Sequence, residues 1–550
     1  LGDGSEGIGS NSWAVAGSMT ATGGAMLAND PHLAPALPSI WYQVRLRCAP
    51  VSEACPYDVA GFSFSGMPGI IIGHNDRIAY GFTNLGPDVA DLVVERLDGS
   101  DVVTAGGAVP LEVRTETIRV AGGDDVVHEV RVGPHGPLIS DVGDDYGGVA
   151  SGPLAAGAPD GDAFAVALRW VALDPAPTAD AIPLLMRARD FTEFRAAGAR
   201  LQVPSQNLLY ADVDGHIGYQ APGLIPVRDG HDGTLPTVGW EGGAAWTRFL
   251  AFDELPYVLD PAGGVISTAN QLVLPPGTTP FLHVDVSYGQ RGRRIAQLLD
   301  GRTALTLDDL AAIQMDAHNA NAEVLVPHLL AVTTSDAGAR ELQALLATWD
   351  LQDDVDSAAS AAFNATWRAL LRLTFHDELP EWAWPTGGGR WWEVVRGLVD
   401  DPTHPWWSDA VTGEALDRDA VAVGCHPHAD AAARDVRLVG HRAGRVAVQP
   451  PAGCPRDLRR DRHRELQLLE RGRRLRRGLG ALDADAGRPD RPRRRPLDPP
   501  DGPVGTTVPR QLRRRDLAER WRTGGYVPMR FSPAATSAAA VDVLTLTPTG

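Results

Sequence analysis

The feature that most constrains how this chain folds is its punctuation: short apolar or alternating runs, each cut off by glycine, proline or aspartate. SWAVAGS, PGIIIGHN, RIAYGFTN, LVVERL, HEVRV, AVALRW, NLLYADV and HIGYQA succeed one another in this way along the front of the chain. Runs of this kind are strands, because side chains alternate across a sheet while Gly, Pro and Asp supply the turns between them. The rhythm then changes. TLDDLAAIQMDAHNANAEVLVPHLLAVT, AGARELQALLATWD and DSAASAAFNATWRALLRLTF carry their apolar residues at helical spacing, with Thr306 positioned to cap the first. The fold class is therefore α+β, with sheets first and helices after them. At 550 residues and 44% hydrophobic the chain has enough apolar surface for a large core, and it has no apolar run of about 18 residues that would span a membrane.

Near its start the chain runs from a Gly-rich loop, LGDGSEGIGS, into Trp13, Ala14 and Val15, through a Gly-Ser turn, and on to Ala25, Met26 and Leu27. That is a strand, a turn and a second strand. Ser10 stands at the junction of loop and strand, where a serine by itself is an ordinary turn or edge hydroxyl. Its neighbours say more. GSNSWAVAGS and ANDPHL (Ala28 to Leu33) are followed by GIIIGHNDRIAYGFTNLGPDVADLVVERL (Gly69 to Leu97), QNLLYADVDGHIGYQAPGLIPVRDGHDGTLP (Gln206 to Pro236), STANQ (Ser267 to Gln271) and YGQRGRRIAQLL (Tyr288 to Leu299). In these strings, in this order, the chain resembles the catalytic subunit of the penicillin acylase family, which includes acyl-homoserine-lactone and lipopeptide acylases. The resemblance runs from residue 9 to about residue 420.

The resemblance implies the four-layer αββα core of N-terminal-nucleophile hydrolases with an additional helical region. It also implies a precursor that cuts itself between Gly9 and Ser10, so that residues 1–9 are the end of a spacer and 10–420 the catalytic subunit. A freed Ser10 would serve as both nucleophile and base, since an α-amine with a pKa of about 7.7 to 8.0 is largely neutral in mildly alkaline solution. The reaction implied is cleavage of an acyl group from a small, linear amide through an acyl-enzyme. Its oxyanion hole would use the backbone N–H of Asn84 and the side-chain amide of Asn270, with His32 orienting the amine and Arg291 supporting the asparagine. On residue type alone, His32 and Asn270 are turn or cap residues. Leu33, Ile71, Ile72 and Phe82 match positions that line the acyl pocket in relatives, and are equally plausible as plain core. They favour an apolar acyl group, from a β-lactam side chain, an acyl-homoserine lactone or a lipopeptide.

A structural Ca²⁺ is also implied, with Asp88, the carbonyl of Ala90, Asp91 and the carbonyl of Gly233 as ligands. The plain alternative is a pair of solvated loop acids. The remaining partner is a smaller N-terminal subunit from the same precursor, and the resemblance points to a secreted or periplasmic enzyme. Cys48 and Cys55 bracket a short segment between strands, where a local disulfide suits an oxidising compartment and two buried thiols remain the alternative.

Charge divides the chain unevenly. All 50 basic residues are arginine, and 25 of them lie between Val421 and Arg522 against only 13 acids, although the whole chain carries a net charge of −19. Residues 421–520 are Arg- and Pro-rich with little apolar rhythm, and 521–550 resume a family-like ending at WRTGGYVPMRF. The reading we favour is a frameshifted stretch of a GC-rich gene, and the rival, taking the residues literally, is a disordered basic arm that binds nucleic acid. The first goes with no nucleic-acid partner, and it also allows an inactive fragment of an acylase gene. Cys425, His426 and His428 have metal-ligand chemistry but fall inside that stretch, and Gly2, Gly4 and Gly7 lack the strand and crossover of a dinucleotide site.

Overall fold

A computed structural model describes residues 9–33, 40–143, 146, 163–283, 286–408 and 417–424. Most of the stretch 421–520, including Cys425, His426 and His428, lies outside these, as do 1–8 and 521–550. The described chain falls into two compact units, one within Gly7–Met315 and one from Asp316 onward.

The first unit is built on two sheets. β1 (Gly9–Val15) is the middle strand of a three-stranded sheet, between β2 (Met26–His32) and β20 (Val265–Thr268), and antiparallel to both. The larger sheet has the order β19 (Tyr257–Leu259), β15 (Ile217–Gln220), β14 (Gln206–Asp212), β6 (Ile78–Asn84), β5 (Ile72–His74), β4 (Asp58–Phe64), β3 (Trp41–Arg47). A disulfide joins Cys48 to Cys55 in the loop between β3 and β4.

Alternation along β1 shows how the layers stack. Trp13 and Val15 pack with Ile295, Leu299, Leu310 and Ile313 of α3 (Gln290–Leu299) and α4 (Leu307–Gln314). Ala14, between them in sequence, faces the larger sheet and meets Leu209, Ala211 and Ile217. The larger sheet in turn buries Ile72, Ile78, Tyr80, Phe82 and Leu208 beneath α1 (Thr178–Arg187) and α2 (Phe191–Gly198), which contribute Ile182, Leu185 and Phe194. Helices, sheet, sheet, helices is the order the resemblance implies. It arises because each middle strand is apolar on both faces and must be covered on both.

Beside this sandwich β7 (Ala90–Asp98) pairs with β13 (Ala163–Trp170) and with β8 (Asp101–Thr104), which carries β9 (Gly107–Pro110); short β17 (Thr237–Val238) joins β7 in parallel. β10 (Glu112–Ile118), β11 (Val126–Gly133) and β12 (Gly136–Pro137) form a three-stranded sheet, and β16 (Pro226–Arg228) pairs with β18 (Trp246–Phe249).

The second unit is helical: α5 (Ala320–Ala331), α6 (Ala337–Leu346), α7 (Ala358–Phe375), α8 (Gly389–Leu398) and α9 (Arg418–Gly424), around Leu325, Leu342, Phe363, Trp367 and Phe375. The run TLDDLAAIQMDAHNANAEVLVPHLLAVT is not one helix. Thr306 opens α4 with a capping box through Asp309, and Asn319 then accepts from Ala322 N to open α5 afresh. An asparagine that caps is more favourable than one carried in mid-helix.

Candidate active site

The β1–β2 ladder sets Gly9 opposite His32 and Ser10 opposite Pro31, at the end of the sandwich where β20 has already finished pairing at Ser12. The chain leaving β20 turns back toward Ser10 through Asn270, whose φ of 66° lies in the left-handed region that asparagine tolerates better than most residues. Its amide is read from both ends. Oδ1 accepts from Ser10 N at 2.9 Å and from Arg291 Nη2 at 3.0 Å, while Nδ2 donates to Asn84 O at 3.0 Å. Donors on one side and an acceptor on the other orient the side chain without ambiguity.

Arg291, in the first turn of α3, also donates from Nη1 to Ser10 O at 2.9 Å and to Asn11 Oδ1 at 2.6 Å. It therefore holds the backbone on the C-terminal side of the serine while supporting Asn270. His32 binds Asp30 O through Nδ1 at 2.9 Å. Burial and, next, the Arg291 charge hold its pKa below the usual histidine value, against the pull of Asp30. The ring is thus neutral with Nδ1–H donating, which leaves Nε2 as an acceptor. That nitrogen faces Gly9: a Cβ on Gly9 would lie 2.7 Å from His32 Nε2 and 2.8 Å from Arg291 Nη2. A side chain there would have to push the His32 ring and the Arg291 guanidinium aside.

Asn84 ends β6. Along an antiparallel strand, N–H and C=O of alternate residues share an edge. Phe82 N donates to Asn29 Oδ1 at 2.7 Å and Phe82 O accepts from Asn29 Nδ2 at 3.0 Å, on the edge that β5 leaves after pairing with Tyr80. The N–H of Asn84 faces that same edge, as its carbonyl does toward Asn270. The structure therefore brings Gly9, Ser10, His32, Asn84, Asn270 and Arg291 together.

Several residues that the motifs did not single out hold this group. Asn29 also donates to Asn11 O at 3.0 Å, so one amide ties the two sheets. Thr83 meets Thr268 across the sheets at 3.0 Å, Asn207 donates to Thr83 Oγ1 at 3.0 Å and to Asn84 O at 3.1 Å, and Tyr219 donates to Asn207 Oδ1 at 2.6 Å. The available signal was Asn207, an amide inside the apolar run of β14.

The positions matched to an acyl pocket are placed differently. Leu33 is half-buried just beyond β2, whereas Ile71, Ile72 and Phe82 belong to the core beneath α1 and α2. Thr83 points to the small sheet, so Phe82, one residue earlier, points away from it.

The residues matched to calcium converge on a different cation. Arg228 Nη2 donates to Asp91 Oδ1 at 2.7 Å and to Asp88 Oδ1 and Asp88 O at 3.2 Å each, and its Nε lies 3.0 Å from both Asp91 oxygens. Gly233, at φ 90°, is stacked so closely that a Cβ there would sit 2.5 Å from Arg228 Cζ, and Ala90 pairs with Trp170 in the β7–β13 ladder. With a guanidinium filling the space between both carboxylates, these residues do not fit a calcium ion, which needs 6 to 8 oxygens at about 2.3 to 2.6 Å. Burial still pushes the Asp88 carboxyl up, with the Arg228 charge opposing.

The family model described as penicillin amidase matches residues 3–447. Over 429 residues the chain is 32% identical to the penicillin acylase 2 proenzyme of Pseudomonas sp. (strain SE83), covering 74% of this chain and 52% of that protein. It is 28% identical over 445 residues to the acyl-homoserine lactone acylase QuiP of Pseudomonas aeruginosa, covering 75% and 50%. It therefore spans about half the length of the curated relatives it matches. A thermostable penicillin G acylase from Alcaligenes faecalis shares the fold, with a TM-score of 0.60 at 20% identity over 81% of this chain and 83% of that one.

Proposed function

We propose, from the premise that this chain belongs to the penicillin amidase family, that it is the catalytic part of an amidohydrolase whose nucleophile is Ser10. A smaller subunit cut from the same precursor would complete it. The observation that carries this reading is the 2.9 Å hydrogen bond from Ser10 N to Asn270 Oδ1, with Asn270 Nδ2 at Asn84. Breaking the Gly9–Ser10 bond turns that amide nitrogen into an amine already held beside its own hydroxyl.

In this mechanism the amine takes the Ser10 Oγ proton, directly or through a water that His32 Nε2 helps to hold, and Oγ attacks the amide carbonyl. Asn84 N–H and the second Nδ2 hydrogen of Asn270 receive the oxyanion. The amine then protonates the leaving nitrogen, and water releases the acid from the acyl-enzyme. Arg291, a fixed positive charge beside the terminus, favours the neutral form of the amine. The substrates we favour are small amides with an apolar acyl group: β-lactam side chains, acyl-homoserine lactones or lipopeptides. The Cys48–Cys55 disulfide supports export to an oxidising compartment. Among the described residues no helix is long and apolar enough to cross a membrane.

The test is N-terminal sequencing and intact-mass measurement on the full-length precursor. The mature chain should begin at Ser10, and Ser10→Ala should abolish both the cut and the hydrolysis. A stable, active enzyme still carrying Gly9 would overturn the mechanism, because its Ser10 nitrogen would be an amide and no base.

A further inference from the structure

The Arg228 cluster has a charge balance of its own. Asp88 and Asp91 bring two negative charges into the contact between β7 and the β16–β18 pair, and the side chains of both Asp91 and Arg228 are only 2% exposed. One guanidinium cancels one of those charges. A second stands close by: Arg169 lies directly opposite Asp91 in the β7–β13 ladder, and its Cζ is 4.5 Å from the centre of the Trp246 ring. Arg228 Cζ lies 6.0 Å from the same ring, and Trp246 Nε1 donates to Asp91 Oδ2 at 2.6 Å. Arg169 is anchored in turn by donating from Nη1 to Ala244 O at 2.8 Å. Two guanidiniums thus match the charge a divalent ion would bring, while Arg228 and the indole satisfy both Asp91 oxygens, Asp88 Oδ1 and the Asp88 carbonyl.

We infer that in this chain Arg228, with Arg169 behind it, is a resident cation that replaces a metal ion at the Asp88–Asp91 site. Chelation cannot remove a cation that is part of the backbone's own chain. The planar fork of Arg228 reaches both carboxylates and a carbonyl at once, which the point charge of a lysine cannot do. Gly233 belongs to the same device, since any side chain there would push the guanidinium from its seat. Removing Arg228 would leave the buried Asp91 and the half-buried Asp88 without their main partner, a loss larger than that of a surface ion pair.

The experiment is thermal unfolding of the full chain with EDTA or with millimolar calcium, together with terbium luminescence as a probe of the site. For the wild type we expect the same Tm in both solutions and no saturable terbium signal. Arg228→Ala should lower Tm by about 10 °C in EDTA. Calcium should restore part of that loss, and terbium should now bind and be displaced by calcium. Arg228→Lys should show a smaller loss. A wild-type Tm that falls in EDTA and returns with calcium would overturn the inference, as would an Arg228→Ala protein as stable in EDTA as the wild type. If Arg228→Ala does not fold, the wild-type measurements decide alone. None of these readouts depends on amide hydrolysis, so the inference can fail while the proposed function stands, and the reverse.

Discussion

Asn270 concentrates three tasks in one side chain: it holds the Ser10 nitrogen, accepts from Arg291 and presents its amide beside Asn84. In the two-subunit enzyme we propose, Asn270→Ala should reduce kcat by about 10² to 10³, the usual loss for one oxyanion donor. Asn84 is proposed to act through its backbone, so Asn84→Ala should leave kcat nearly unchanged. Equal losses in the two variants, at equal Tm, would refute this division of labour. His32 gives a pH signature. Its pKa is lowered in the folded protein, so below about pH 6.5 the unfolded chain takes up a proton that the native ring still refuses. Stability should therefore fall as pH drops from there toward the folded pKa. His32→Gln, which does not titrate, should flatten that part of the Tm-against-pH curve, and an unchanged slope would count against a lowered pKa for the half-buried ring.

At the scale of elements, the strands were legible because their runs are short and sharply ended, and the helices because Leu325, Leu329, Phe363, Trp367 and Leu371 recur at helical spacing. Pairing was not legible. β1 lies between β2, its neighbour in sequence, and β20, which comes some 250 residues later, and no local pattern encodes such a partner. The break between α4 and α5 escaped for a related reason, since apolar spacing continues across it and only the capping chemistry of Asn319 interrupts it. Ser10, His32 and Asn270 could be given roles through matched motifs, whereas Asn29 and Arg228, inside the same strings, could not. Their partners, Phe82 and Asp91, come close only once separate sheets have packed. Asn29→Ala would strip partners from the Phe82 N–H, the Phe82 carbonyl and the Asn11 carbonyl. Each group so exposed costs about 1 to 3 kcal/mol if water cannot replace the bond. We expect a clear drop in Tm by calorimetry, and Asn29→Asp, which keeps the acceptor but loses the donors, should fall between the two.

For the molecule as a whole, the Gly9–Ser10 bond, where we propose the cut, sits inside a ladder rather than on a loose arm. Gly9 is paired with His32 and wedged against Arg291, and Ser10 is held from both sides. The groups around the proposed cut all belong to one chain, so its rate should be the same at any dilution. A time course of maturation at widely different precursor concentrations checks this, and acceleration with concentration would mean that one molecule cuts another. In the proposed maturation, Gly9 holds the nitrogen of Ser10 as an amide until the bond between them is cut. Its departure would then work as a fuse that burns once: each molecule would gain its amine base a single time, and no later change of solution would take it back.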